Sequence, residues 1–259
     1  MQIDIITIFP DAFNSYFNVS ILKRAQKKKL IKIKLYNLRN WAKDKRKTVD
    51  GRPYGGGPGM ILRVDVLYRA IKALKESPPL PKAMADQPRA EKIEKQRIVL
   101  LTPAGKQFNQ KIAYRYSKLN RLILICGHYE GIDKRIEKFV DEKISIGPYV
   151  LTGGELPAMI ITDAVTRLIK GVIKEKSLDE ETFSMAARLR PKGLRQGARF
   201  SNQIKNLEKI GEYPQYTKPA IFTYKDKFGR IKKLSVPKVL LSGNHQKIKE
   251  WRKKHQASS

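Results

Sequence analysis

Residues 97–131, RIVLLTPAGKQFNQKIAYRYSKLNRLILICGHYEG, decide the fold. Two short apolar runs, 97–102 (RIVLLT) and 122–126 (LILIC), flank a stretch of helical spacing at 108–118. Neither run alternates polar with apolar residues, so each predicts a strand covered on both faces, the habit of parallel sheets whose crossovers are helices. Working outward, 2–8 (QIDIITI) predicts a strand ending at the Pro10 turn, 31–37 (IKIKLYN) a second with period-two alternation, and 143–146 (KISI) another. Helices are expected at 18–30, at 64–75 and at 155–172, the last apolar on more than one face and therefore buried. The pattern gives a mainly parallel α/β domain over residues 1–173 and a charged linker at 174–184. A smaller, basic, mostly helical domain follows at 185–259, with a hairpin around Lys227–Arg230 and a final helix at 245–255.

Charge narrows the partners. The 259 residues hold 54 Lys and Arg against 24 Asp and Glu, a formal net charge of +30. Such a surface predicts a soluble polyanion, nucleic acid before an anionic membrane. An apolar share of 41% excludes wholesale disorder. No apolar run approaches the roughly 20 residues of a spanning helix, and the start lacks a secretory leader, so no membrane role is expected. The one cysteine, Cys126, excludes an internal disulfide and a cysteine-rich zinc site, and it fits a reducing, cytoplasmic setting. At the end of an apolar strand it reads as core. His128, His245 and His255 are too scattered to form a metal motif, and no phosphate-binding P-loop or dinucleotide fingerprint occurs.

Three glycine turns lie just beyond apolar strands: Pro103-Ala104-Gly105, Gly127 to Gly131, and Gly147 to Gly154. In open parallel sheets the ligand crevice lies outside the carboxyl ends of the strands, so the three together predict a small-molecule site. Residues 40–61, with Tyr54-Gly55-Gly56-Gly57-Pro58-Gly59, form a long irregular segment of the kind that works as a functional loop. The proline-rich stretch at 77–97 reads as a surface excursion.

The blocks IITIFPDAF, KTVDGRPYGGGPGM, LICGHYEGID, SIGPYVLTGGELPAMIITDAVTRLI, EYPQYTKP and VLLSGNH, in this order, resemble the bacterial tRNA (guanine-N1)-methyltransferases of the knotted SPOUT class. The resemblance runs from residue 2 to about 252. It implies a parallel sheet with a trefoil knot at the end of the first domain, a homodimer with active sites shared across the interface, and methyl transfer from S-adenosylmethionine to N1 of guanosine 37 of tRNA, beside the anticodon. It leaves magnesium open and assigns no metal ligand. Carried over residue by residue, the cofactor falls on Leu100, Leu101, Thr102 and Pro103, on Gly127, Tyr129 and Glu130, and along Ile146, Gly147, Pro148, Tyr149, Val150, Leu151, Gly153, Gly154 and Pro157. Asp50, Arg52, Tyr54, Asn244 and His245 match tRNA-contacting positions. The basic insertion with Arg188 and Arg190 is expected to meet phosphates.

The chemistry requires a base, because guanine N1 is protonated and gains nucleophilicity only as that proton leaves, with charge growing toward O6. The resemblance places a cation at Arg167 and a carboxylate two residues before Phe183, where this chain carries Glu181 in place of the family's aspartate; Asp179 remains an alternative. His128 stands where an arginine is common, and Pro148 where an aspartate is, with the loss of one backbone donor. Two rival readings stand beside the enzyme: an RNA-binding protein that kept the fold without the chemistry, and a knotted methyltransferase of ribosomal RNA.

Overall fold

Five parallel strands carry the first half of the chain in a computed structural model that describes residues 1–54, 58–76, 96–173, 216, 220–225 and 228–255. Strands β1 (Gln2–Thr7), β2 (Lys32–Asn37), β5 (Gln96–Gln107), β6 (Arg121–Ile125) and β7 (Glu142–Ser145) lie in the order β2-β1-β6-β5-β7. A two-residue antiparallel pair, β3 (Asp50–Gly51) and β4 (Ile61–Leu62), stands apart. The chain divides into two compact units, Met1–Glu175 and Lys176–Ser259.

Apolar residues on alternate positions send the sheet into two cores, as the unbroken hydrophobic strands require. Ile3, Ile5, Val99, Leu101, Leu122 and Leu124 pack against α2 (Ser20–Lys27), α4 (Gln110–Tyr116) and α5 (Glu155–Arg167), which follow the four-residue α1 (Asn14–Phe17). Ile6, Ile98, Leu100, Ile123 and Ile125 meet Val66, Leu67, Ala70, Ile71 and Leu74 of α3 (Val64–Glu76). On this second face Arg121 is 1% exposed and Asp4 fully buried, and the guanidinium donates to Asp4 Oδ2 at 2.6 Å. It donates also to the Leu74 carbonyl at 2.6 Å, satisfying one of the orphan acceptors at the end of α3. Gln2 donates to both Asp4 oxygens, so the strand starts are tied together by one polar network inside the core.

Two elements differ from the sequence expectation. The strand expected to stop at Thr102 continues to Gln107, because both Leu101 and Lys106 face Ile144 across a register shift and Phe108 N–H donates to the Ser145 carbonyl at 2.7 Å. A Cβ on Gly105 would stand 2.5 Å from the Ile144 backbone, so that approach tolerates only glycine. The helix expected over 155–172 ends at Arg167. From Leu168 on, the amides turn to carbonyls three residues back, and Gly171 takes a φ of +86° that reverses the chain.

Helix α2 ends on Lys28, and Lys29 sits in the left-handed region at φ 57°. Lys29 N–H donates to the Gln26 carbonyl and Leu30 N–H to that of Ala25, the Schellman closure in which glycine is the usual residue. The next turn is latched to the chain start: the Met1 ammonium donates to the Leu30 carbonyl at 2.9 Å, and Lys32 N–H to the Met1 carbonyl. The described part of the second unit consists of a hairpin, β8 (Ile221–Lys225) with β9 (Ile231–Ser235), and helices α6 (Lys238–Leu241) and α7 (His245–Lys254). Asn244 caps α7, its Oδ1 accepting from Lys247 N–H at 3.1 Å.

Two stability outcomes follow. Asp4→Ala strands a buried guanidinium and is expected to cost about 3–5 kcal/mol in urea unfolding; a loss under 1 kcal/mol would refute the role given to the pair. Lys29→Gly relieves the left-handed backbone and should stabilise by roughly 0.5–1 kcal/mol, net of the entropy that glycine adds to the unfolded chain.

Candidate functional site

The loops after β6 and β7 and the register break inside β5, between Leu101 and Lys106, bring their backbones within touching distance. Gly154 N–H donates to the Gly127 carbonyl at 2.8 Å, joining the loop after β7 to the loop after β6. A Cβ on Gly154 would lie 2.6 Å from Cys126 Cα and 2.7 Å from Gly127 N, so two main chains meet where a side chain has no room. Gly154 also stands at the start of α5, and the adjoining Glu155 accepts from Thr7 Oγ1 at 2.7 Å at the end of β1. That carboxylate in the first turn is favoured by the helix dipole, and it pins the helix over the sheet end.

Between the loops lies a cleft of about 200 Å³. Of the positions expected to hold a cofactor, Leu100, Leu101, Thr102, Pro103, Gly127, Tyr129, Glu130, Ile146, Tyr149, Val150, Leu151, Gly153, Gly154 and Pro157 line it. Gly147 and Pro148 are not among its walls. Gly147 acts one step back: a Cβ there would collide with the Tyr149 ring, and Ser145 Oγ donates to the Gly147 carbonyl at 2.9 Å, so the bare backbone lets Tyr149 fold over the turn.

The floor includes residues that the strand-and-turn pattern did not single out. Ile132 and the N-cap Asp133, then Lys134, Ile136 and Glu137, enter from the start of a 3-10 helix over Lys134–Phe139. Asp133 N-caps that helix, its Oδ1 accepting from Arg135 N–H, and the Arg135 guanidinium binds the same carboxylate at 2.7 Å. That bonding holds the Asp133 carboxyl below its ordinary range, and the Lys134 and Lys143 ammonium groups do the same for Glu137. The available signal was the N-cap aspartate two residues after Gly131, a helix start hidden inside what reads as a loop.

Along one wall runs a strap of residues 59–62. Glu130 N–H donates to the Met60 carbonyl at 3.0 Å and Leu62 N–H to that of Gly131 at 2.9 Å, while Gly59, at φ +70°, leaves no space for a Cβ beside Glu130. The strap thus docks on the GHYEG loop, in which Tyr129 is held at φ 60°, a conformation rare for an aromatic residue and one that gathers at functional sites. His128 packs edge-on between Phe9, at 5.0 Å, and Tyr129, at 4.9 Å.

Elsewhere the expected residues scatter. Asp50 pairs with Leu62 in the small sheet, Arg52 is exposed, and the Tyr54 ring is 99% exposed. Arg167 is half-buried in the last turn of α5 and does not line the cleft. Asn244 and His245 are exposed in the second unit. Glu181, Asp179, Arg188 and Arg190 lie outside the described residues. Cys126 is 4% exposed with its thiol pushed well up by burial, as a core cysteine should be. Among the described residues no three His, Cys, Asp or Glu side chains gather as a metal would require, and no helix is long and apolar enough to cross a membrane.

Comparison with known proteins places these features in company. The profile of the family described as tRNA (Guanine-1)-methyltransferase TrmD matches residues 1–259. A tRNA (guanine-N(1)-)-methyltransferase of Dictyoglomus turgidum is 44% identical over 255 residues, covering 98% of this chain and 84% of its own. Proteins of the same name are 43% identical in Chloroflexus aggregans and 41% in Caldicellulosiruptor saccharolyticus, each over 98% of this chain and over 82% and 84% of their own.

The two neighbouring glycines are predicted to answer differently to one methyl group. Gly154→Ala must push backbone from backbone, an overpacking of about 1–3 kcal/mol. At Gly153 the nearest atoms belong to the Glu155 and His128 side chains, whose displacement costs side-chain contacts but moves no main chain. Thermal unfolding should therefore show a clear loss for Gly154→Ala and a smaller one for Gly153→Ala; equal losses would refute the backbone contact.

Proposed function

Since the chain belongs to the tRNA (guanine-1)-methyltransferase family, we propose that it methylates N1 of the guanosine at tRNA position 37, beside the anticodon, with S-adenosylmethionine as donor. The observation that carries this reading is the cleft built where the glycine-bent loops after β6 and β7 meet the register break inside β5. Its walls suit that donor: main-chain N–H and C=O groups in rigid turns can read an adenine edge, and the apolar Leu100, Leu101, Ile146 and Leu151 offer dry surface beside a sulfonium. When bound, the donor supplies an electrophilic methyl group.

The remaining work falls to the chain. A carboxylate at Glu181, with Asp179 as the alternative, takes the N1 proton, and a guanidinium at Arg167 steadies the charge that then grows on the base. Arg167 lies ten residues beyond Pro157 on α5, which at 1.5 Å per residue is about 15 Å along the helix from the cleft wall. That span supports a homodimer in which the arginine of one copy serves the cleft of the other. Leu156 and Ile160, 55% and 46% exposed one turn apart on the same helix, offer apolar surface for such an interface. Tyr54, fully presented to solvent, suits stacking on a splayed anticodon base.

The close crossing at Gly105 and Ile144 supports the trefoil knot that the family resemblance implies. We read residues 1–173 as the cofactor-binding domain, 174–184 as the linker that brings the base, and 185–259, with Arg188, Arg190, Asn244 and His245, as the part that grips tRNA. The reading fits a cytoplasmic enzyme. Magnesium is assigned no residues.

Purified protein given labelled S-adenosylmethionine and unmodified tRNA with guanosines at positions 36 and 37 is expected to form N1-methylguanosine at 37; absence of product overturns the proposal. Glu181→Gln should lower kcat by about 10²–10⁴-fold while calorimetric affinity for adenosylhomocysteine stays within about twofold. An undiminished rate moves the base to Asp179.

A further inference from the structure

Between Asp11 and Asp44 the chain carries nine Lys and Arg residues and no carboxylate. Six of them, Lys23, Arg24, Lys27, Lys28, Lys29 and Lys32, are exposed on α2, its closing turn and the first position of β2. None forms an ion pair with a described residue. Elsewhere in the first unit carboxylates stand among the cations: Arg63 and Arg69 share Asp65, Arg135 binds Asp133, Lys134 and Lys143 bind Glu137, and Arg97 and Arg115 meet Glu142. What sets this tract apart is its density of exposed cations with no carboxylate between them in sequence.

Its position is fixed by the sheet. Lys32 pairs with Gln2 at the amino ends of the parallel strands, whereas the cleft opens beyond their carboxyl ends. A strand of six residues separates the two by about 20 Å. The turn is held rigid by the Schellman closure and by the Met1 ammonium, so its charges are presented on a fixed frame. Lys29 occupies the left-handed position where glycine is the residue of choice, so backbone conformation does not explain the lysine.

We propose that the Lys23–Lys32 surface is a second docking site for the tRNA substrate, engaging backbone phosphates outside the anticodon arm while the anticodon occupies the cleft end. Phosphates recur every few ångströms along an RNA strand, and rows of unpaired lysines bind them by releasing counterions, without reading sequence. A tRNA whose anticodon is in the cleft has its stem and body free to extend along the protein, and a surface about 20 Å away lies beyond the few nucleotides that the cleft can touch. The inference rests on tRNA being the substrate.

The test is the triple variant Lys27→Ser, Lys28→Ser and Lys29→Gly in the full chain, probed with a tRNA transcript. Glycine at 29 relieves the backbone, so a folding defect is not the expected cause of any change, and thermal unfolding checks this. Affinity should fall about tenfold or more at 0.1 M salt, and the slope of log K against log salt should flatten by roughly 2, at 0.7–0.9 per phosphate lost. Phosphate-ethylation interference should show, in the wild type, modified positions outside the anticodon arm that weaken binding, and these should vanish in the variant. Unchanged affinity, or interference confined to the anticodon arm in both proteins, overturns the proposal. Failure of the methyltransferase reading is distinguishable, because it appears as absence of N1-methylguanosine with the wild-type protein, whatever its affinity for tRNA.

Discussion

Everything at the working end of the first unit depends on main chains meeting without side chains between them. Gly154 against Cys126 and Gly127, and Gly105 against Ile144, are contacts in which a single added methyl group has no place to go. They let the register break in β5 and the loops after β6 and β7 converge, and convergence makes a cleft lined by bare backbone as well as by side chains. Such a wall resists rearrangement because the peptide groups are already committed: the Gly154 amide closes on the Gly127 carbonyl, and the Glu130 and Leu62 amides close the strap over the rim. The helix that starts there is held by Thr7 through Glu155, so the geometry passes directly into α5 and along it to Arg167.

The sheet was legible from residue patterns because apolar runs such as LILIC have one economical use, as buried strands between helices. Two of the three glycine turns, those after β6 and β7, were legible for a related reason: a glycine right after such a strand marks close approach. Less visible was the path of β5 past Thr102, since Pro103, Ala104 and Gly105 carry every local sign of a turn, and only the partner at Ile144 and Ser145 continues the strand. The end of α5 escaped for the opposite reason. Leu168, Ile169 and Val172 keep helical spacing and pack on the core, but from a tighter turn closed by Gly171. At the site, the segment from Ile132 to Glu137 gave no strand signal and joined the cleft through tertiary contacts. The role of Gly147 as support for Tyr149 is visible only in three dimensions.

Electrostatics is used in two unlike ways. In the core, one arginine and one aspartate share a dry environment with Gln2 and the end of α3, an arrangement whose value lies more in fixing which strand starts meet than in net stabilisation. On the surface, acids are spent where cations need to be held still, as around Glu142 and Glu137, and withheld where the positive field is to face outward. Among the described residues, paired cations thus stand beside the cleft, and an acid-free run of exposed lysines stands at the opposite end of the sheet.

The pairing of Gln2 with Arg121 joins residues separated by about half the chain. At a synthesis rate of roughly 5–20 residues per second, β1 emerges some 6–24 s before its central neighbour exists. During that wait its only available companion is β2, and the apolar QIDIITI segment is accompanied by a lysine-rich stretch whose like charges discourage two nascent chains from pairing. The same residues that dress the finished surface thus set like charges beside an unfinished sheet for as long as its middle strand is still to come.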